Sequence, residues 1–315
     1  MRKVTVVTAA VRRGSAPRTV EANLAGAERL LERAGALQAD VVCLPEAFLT
    51  VGVPYRSAAE VAQAVPGPAT TRIGAAARRH GMYVLCPVLE REGTQVFNTA
   101  VLLDRAGNVA GSYRKMHPTL GELDRGVTPG DRVQVLETDF GRVAILICFD
   151  VNFPQRWQEA SDLGAEVVLW ATVDEGGLRL AAHARQHEYY IVSACFGPTW
   201  RACILDLTGH ELAGTSQRDD LAWAQIDLDK RVFHTDHNLE RYEAILEKYG
   251  RRVTARLRSD DETITLESND PTLTIEQLMA EFHLEPARAY LQRCAARQEA
   301  ARLAHGITAT WGGRP

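Results

Sequence analysis

The chain has 315 residues, 46% of them apolar and 24% charged, with a formal net charge of −4 and six cysteines. This is the composition of an ordinary folded protein, too apolar and too weakly charged for disorder, and neither the mild acidity nor any Lys/Arg run offers a footprint for nucleic acid. No apolar run approaches the ~18 residues that would span a bilayer, and the first one turns polar by Arg12, too soon for a signal peptide.

In chain order, a β-rich run over 4–7 precedes a helical pattern over 18–37, in which Val20, Leu24, Ala27, Leu30 and Leu31 recur at helical spacing. An apolar strand over 41–44 follows, then a helix over 69–80 closed by Gly81. Strands over 83–87, 99–103 and 109–113 succeed one another across polar turns at 91–94 and 104–108, which makes them antiparallel neighbours. Beyond these lie strands over 143–147, 167–170, 191–195, 203–207 and 221–226, with helices over 154–163, ending at Gly164, and 178–189. Several strands are continuous apolar runs, as expected when both faces are covered. The pattern predicts an α/β fold with a mixed sheet.

The texture changes after Asp227-Leu228-Asp229. Residues 238–249 read as an amphipathic helix closed by Gly250, and 253–257 with 263–266 as a hairpin around Ser259-Asp260-Asp261. Thr274 with Gln277 forms a capping box ahead of a helix, and Pro286 starts another that runs to about Ala304. The reading is a main domain over 1–230 and an extension over 231–315. The extension is expected to have little apolar content of its own and to pack on the core or on a neighbouring subunit.

The cysteines are widely spaced with no C-x-x-C pair, so reduced thiols and a cytoplasmic location are expected, without a disulfide scaffold or zinc ribbon. His183 and His187 are four apart, but the intervening residues lack the Glu of H-E-x-x-H and no third ligand is evident, which favours a structural role. No G-x-G-x-x-G, P-loop or G-x-S-x-G occurs.

The informative residues stand where strands end, the place where open α/β sheets assemble their sites. Leu44-Pro45-Glu46 puts a carboxylate after one strand, Lys115 (one of only four lysines) follows another, and Cys148 emerges from the most apolar strand of all. Singly, each has a plainer reading: an inert core thiol, a solvated carboxylate, half of a surface ion pair. Jointly, Glu46, Lys115, Glu122 and Cys148 form a set that cysteine chemistry needs. An ordinary thiol is only a few per cent thiolate at neutral pH. A buried carboxylate with a raised pKa can take its proton and return it to a leaving amine. An adjacent ammonium stabilises the thiolate and the oxyanion of a tetrahedral intermediate, and the backbone N–H of Phe149 is the natural second donor.

These residues resemble the motifs of the nitrilase-like carbon–nitrogen hydrolase family over about residues 4–228. Leu44-Pro45-Glu46 is similar to its general-base motif, Tyr113-Arg114-Lys115-Met116-His117 to its lysine motif and Ile147-Cys148-Phe149-Asp150 to its nucleophile motif. Gly121-Glu122 with Thr128-Pro129-Gly130-Asp131 is similar to the segment bearing the second glutamate, and Phe97-Asn98-Thr99-Ala100 and Leu169-Trp170-Ala171-Thr172 also fit. The resemblance implies a four-layer α-β-β-α sandwich with mixed sheets that associates as a homodimer or higher homo-oligomer. It implies a catalytic domain over 1–230 with the C-terminal extension outside the common core. It also implies a covalent intermediate at Cys148 without metal or organic cofactor, with Glu46 as base, Lys115 as oxyanion stabiliser and Glu122 positioning substrate or shuttling a proton. Substrate contacts are expected from Phe149, Trp170 and Thr172, and from Tyr55 in the loop over 49–58.

The chain departs from the amidase pattern at Asn152, Gln155, His183, Gln186 and His187, and Phe149-Asp150 lacks the Trp-Glu of nitrilases proper. The expected activity is therefore hydrolysis of a small carboxamide or an N-carbamoyl amine, ahead of nitrile hydrolysis. Acyl transfer through the same thioester, and an inactive binding or scaffold protein on the same fold, are the alternatives.

Overall fold

The strand Lys3–Val11 is buried along nearly all of its length, so it must lie inside a layered stack. A computed structural model describes residues 1–11, 18–197, 201–259 and 261–307; Arg12 and Asp260, named above, lie outside them. Lys3–Val11 pairs in parallel with Val41–Cys43 and antiparallel with Leu221–Asp227. Outward from Val41–Cys43 follow Tyr83–Glu92 in parallel, then Gln95–Leu103 and Val109–Arg114 antiparallel. A second mixed sheet runs Val135–Glu137, Arg142–Ile147, Val167–Ala171, Tyr190–Phe196, Cys203–Leu205 and Glu211–Gly214. The two join at a corner, where Ala10 and Val11 pair with Cys195 and Phe196.

The sheets face each other across the middle, and helices cover their outer faces: Val20–Ala36 and Pro68–His80 on the first, Pro154–Asp162 and Gly177–His187 on the second. The result is the expected α-β-β-α sandwich. Leu24, Leu31, Ile73 and Ala77 project from the first helix pair onto Val42, Val84 and Val101 of the sheet. Each fully buried Leu, Ile or Val side chain contributes about 1.5–3 kcal/mol. Local chemistry sets the helix ends. Thr19 Oγ1 accepts from the Ala22 amide at 3.1 Å, and Gly81 takes the left-handed conformation (φ 62°) that ends Pro68–His80.

These elements form one compact unit, Lys3–Leu228; Met1–Arg2 with Asp229–Pro315 form another. In the latter, Arg231–His234, Thr263–Ser268 and Val253–Arg258 make a three-stranded antiparallel sheet that contains the expected hairpin. The capping box is formed: the Gln277 amide donates to Thr274 Oγ1 at 3.1 Å and the Thr274 amide to Gln277 Oε1 at 2.8 Å. The expectation of little apolar content is corrected here. Phe233, Ile245, Ile264, Leu266, Ile275 and Leu278 close into a cluster of their own, which single apolar residues set among polar ones conceal in the sequence. No helix among the described residues is long and apolar enough to cross a membrane.

Candidate active site

Three strand ends and one short helix deliver the charged groups. Pro45 ends the run begun by Val41–Cys43, and Ala47 turns the chain sharply with φ 53°, leaving Glu46 buried between them. Lys115 follows Val109–Arg114; its amide donates to Asn98 O at 2.8 Å and its carbonyl accepts from the Gly130 amide at 2.8 Å. A Cβ at Gly130 would lie 2.1 Å from Arg114 O, so only glycine allows that approach. Glu122 sits on Leu120–Asp124, where its Oε2 accepts from the Thr119 amide at 2.8 Å and closes a capping box. Cys148 leaves the apolar strand Arg142–Ile147 on a left-handed residue (φ 43°) and opens the turn Cys148–Asn152. Such strain in a non-glycine residue occurs where the surroundings over-determine it.

Asp150 supplies that determination. Fully buried, its Oδ2 accepts from the Ile147 amide at 3.0 Å and the Tyr113 hydroxyl at 2.8 Å. Its Oδ1 accepts from the His117 amide at 3.1 Å, and its carbonyl from Trp157 Nε1 at 3.0 Å. One carboxylate thereby ties the cysteine turn to the segment that carries Lys115.

Lys115 Nζ, only 1% exposed, donates to Glu46 Oε1 at 2.8 Å and to Glu122 Oε2 at 2.7 Å. Asn98 Nδ2 donates to the same two carboxylates, at 2.8 Å to Glu46 and 2.7 Å to Glu122. The four side chains close a ring. Cys148 lines the same cavity as these four side chains.

Burial pushes the Glu46 carboxyl above its ordinary range, and Glu122's charge adds to the rise while Lys115 opposes it. Burial would raise Glu122 as well, but the Lys115 charge and the hydrogen bonds from Lys115, Thr119 and Asn98 hold it low. Desolvation would strip the proton from Lys115; Glu46, Cys148 and Glu122 overcome it and hold the ammonium charged. Burial and the charge of Glu46 push the Cys148 thiol up, with Lys115 opposing. Burial thus holds the proton on sulfur more firmly than in a free cysteine and makes Glu46 a stronger base, an arrangement suited to base-assisted attack.

A cavity of about 260 Å³ reaches these groups, its walls including Glu46, Asn98, Lys115, Glu122 and Cys148, with Leu49, Val88 and Val127 as apolar surface. Of the expected substrate contacts, Tyr55 is on the wall. Thr172 is fully buried and is not on the wall. The Phe149 ring lies 5.8 Å from that of Phe153 and off the wall, leaving its backbone amide as the group next to Cys148. The expectation for Trp170 is corrected: it is fully buried, 6.4 Å from Trp157 and away from the cavity, because its strand turns that side chain toward the helices.

None of the departures from the amidase pattern lines the cavity. Asn152 Oδ1 accepts from Arg179. His183 stacks on Trp157 at 4.4 Å and, its pKa lowered by burial, lies 3.3 Å from Val151 O. His187 continues the stack at 6.1 Å. Three participants have no role assigned from the sequence: Asn98, Asp150 and Arg125, which lines the cavity beside Tyr55. The signal for Asn98 is a lone amide within an apolar strand, and for Asp150 a carboxylate two residues past the cysteine.

A family model described as carbon-nitrogen hydrolase matches residues 4–232. A beta-ureidopropionase of Arabidopsis thaliana is 32% identical over 161 residues, 46% of this chain and 39% of that protein. A nitrilase of Pyrococcus abyssi is 34% identical over 151 residues, 46% of this chain and 56% of that one. The chain spans about half the length of the curated relatives it matches. An amidase from Nesterenkonia sp. shares the fold with a TM-score of 0.63 at 24% identity, over 71% of this chain and 90% of that one.

Proposed function

The chain belongs to the carbon–nitrogen hydrolase family, and from that premise we propose that it hydrolyses the C–N bond of a small carboxamide or N-carbamoyl amine through an acyl group carried on Cys148. Glu46 takes the thiol proton as Sγ attacks the carbonyl carbon. The oxyanion forms against the Lys115 ammonium and the Phe149 amide. The C–N bond then breaks as Glu46 returns the proton to the leaving nitrogen. Glu46 next takes a proton from water, the hydroxide adds to the thioester, and the acid leaves as the proton returns to sulfur. Glu122 and Asn98 hold Lys115 and Glu46 in register throughout.

The observation that carries this reading is the meeting of Glu46, Lys115, Glu122 and Cys148 on one small cavity although they come from three separate stretches of the sequence. Ammonia release from a panel of carboxamides and N-carbamoyl amines tests it. Wild type is expected to release ammonia and Cys148→Ala to lose at least about a thousandfold in rate; equal rates in the two would refute it.

A further inference from the structure

Asn98, only 6% exposed, reaches the cavity wall from the strand Gln95–Leu103. Its backbone is fixed, since the carbonyl accepts from the Lys115 amide at 2.8 Å. Its side-chain nitrogen carries two hydrogens, and both are spent, one on Glu46 Oε1 and one on Glu122 Oε1. Those partners also settle which way the amide points, because a flipped group would set its oxygen against two carboxylates. The side-chain oxygen, Oδ1, is left over. Among the described residues no donor meets it, yet it is not sealed in the interior. An amide oxygen left buried and unpaired costs about 1–3 kcal/mol, so a ligand that fills the cavity must offer Oδ1 a hydrogen. The other neutral polar side chains of the wall are engaged: Thr50 donates to Ala47 O at 3.2 Å and Thr119 to Glu122 Oε2 at 3.0 Å. Glu46 Oε1 already accepts twice, from Lys115 and Asn98, which leaves its Oε2 to carry the proton.

Resting on the hydrolase reading above, we infer that Asn98 Oδ1 accepts a hydrogen bond from the nitrogen of the scissile C–N bond. Asn98 is then a catalytic residue, and the site is restricted to substrates that keep an N–H on that nitrogen. Asn98 and Glu46 are hydrogen-bonded neighbours, so a nitrogen held by one lies beside the other. Once Sγ has added and the carbon is tetrahedral, the nitrogen is pyramidal. Its N–H points at Oδ1 and its lone pair is free for the proton on Glu46. Asn98 itself gives and takes no proton. The thiol proton passes through Glu46 to the nitrogen, the C–N electron pair leaves with the nitrogen, and Oδ1 holds the same hydrogen throughout. A tertiary amide or an ester has no such hydrogen and leaves Oδ1 unpaired, the kind of mismatch that polar sites reject most strongly.

The test compares two leaving groups. Carboxamides from acetamide to hexanamide and the methyl esters of the same acids deliver the same acyl groups to Cys148 and differ only in what departs. The kcat/KM of each is measured for the full-length wild type, Asn98→Ala and Glu122→Gln. Asn98→Ala is expected to lower kcat/KM of the amides about 10-fold more than that of the esters, the worth of one hydrogen bond at the reacting nitrogen. Glu122→Gln loosens the same ring but leaves Oδ1 in place, and is expected to slow amides and esters by similar factors. Equal losses for amides and esters in Asn98→Ala, or the same bias against amides in Glu122→Gln, would overturn the inference and leave the hydrolase reading standing. Calorimetric binding needs neither turnover nor an Asn98 variant. Full-length Cys148→Ala is expected to bind butanamide several-fold tighter than methyl butanoate; equal or weaker binding of the amide would overturn the inference. Wild type that turns over none of the amides, with that binding preference intact, overturns the hydrolase reading and leaves the Asn98 contact standing.

Discussion

The two ends of the cavity are built on different principles. At the inner end, Lys115, Asn98, Glu46 and Glu122 are tied by four hydrogen bonds of 2.7–2.8 Å, and the cysteine turn is fixed by a buried aspartate. At the mouth, an exposed arginine faces a half-buried tyrosine on irregular loops. Buried charges are tolerated only when paired and hydrogen-bonded, so the inner end has little freedom to vary without losing the fold. The mouth can change without that penalty. The ring is thereby fixed by the fold and the mouth is not, and this difference can be attacked from both ends.

The largest effect is expected at Lys115. Lys115→Met leaves Glu46 and Glu122 facing each other without a cation, and breaking a buried pair costs about 3–5 kcal/mol. Loss of an oxyanion donor removes roughly 10²–10³ from kcat. Denaturant unfolding and kcat should both register the change; a variant of native stability and native kcat would contradict a ring that serves fold and chemistry together.

A smaller effect, with a definite sign, is expected at Glu122. As the proposed base Glu46 works in its ionised form, so kcat/KM should fall as pH drops through its raised pKa, above the ordinary carboxylate value of about 4.3. The charge of Glu122 contributes to that rise. Glu122→Gln removes it and frees Lys115 for Glu46, so the acid limb should move toward lower pH, by on the order of one unit. An unmoved limb, or one moved upward, would contradict the electrostatic assignment.

The smallest effect is expected at the mouth. Tyr55→Leu should raise KM a few-fold and leave kcat and stability nearly unchanged, since surface changes away from such networks usually stay within about 0.5 kcal/mol. A large fall in kcat would mean that the two ends are not separable.

Much of the inner end is legible in the amino-acid sequence. The strand ends at Glu46 and Cys148 can be read because residues 41–44 and 143–147 are unbroken apolar runs followed by Pro45 or a turn. The hairpin of Tyr83–Glu92 and Gln95–Leu103 runs further than its apolar residues indicate, since Arg91, Glu92 and Gln95 at its tip are polar although paired. Trp170 is not on the cavity because a strand's final residues alternate faces, and its motif carries no register. The place of Arg125 on the cavity wall has no sequence signal. Its meeting with Tyr55, 70 positions earlier, depends on two loop paths without periodicity.

The central claim is that Cys148 carries the acyl group. With enzyme in excess over a carboxamide that it hydrolyses, acid quenching through one turnover followed by peptide mass mapping tests this directly. The account predicts a mass increase equal to the acyl group, confined to the peptide containing Cys148, that rises and then decays as the free acid forms. Acid formed over the same time course with that peptide never modified would contradict it.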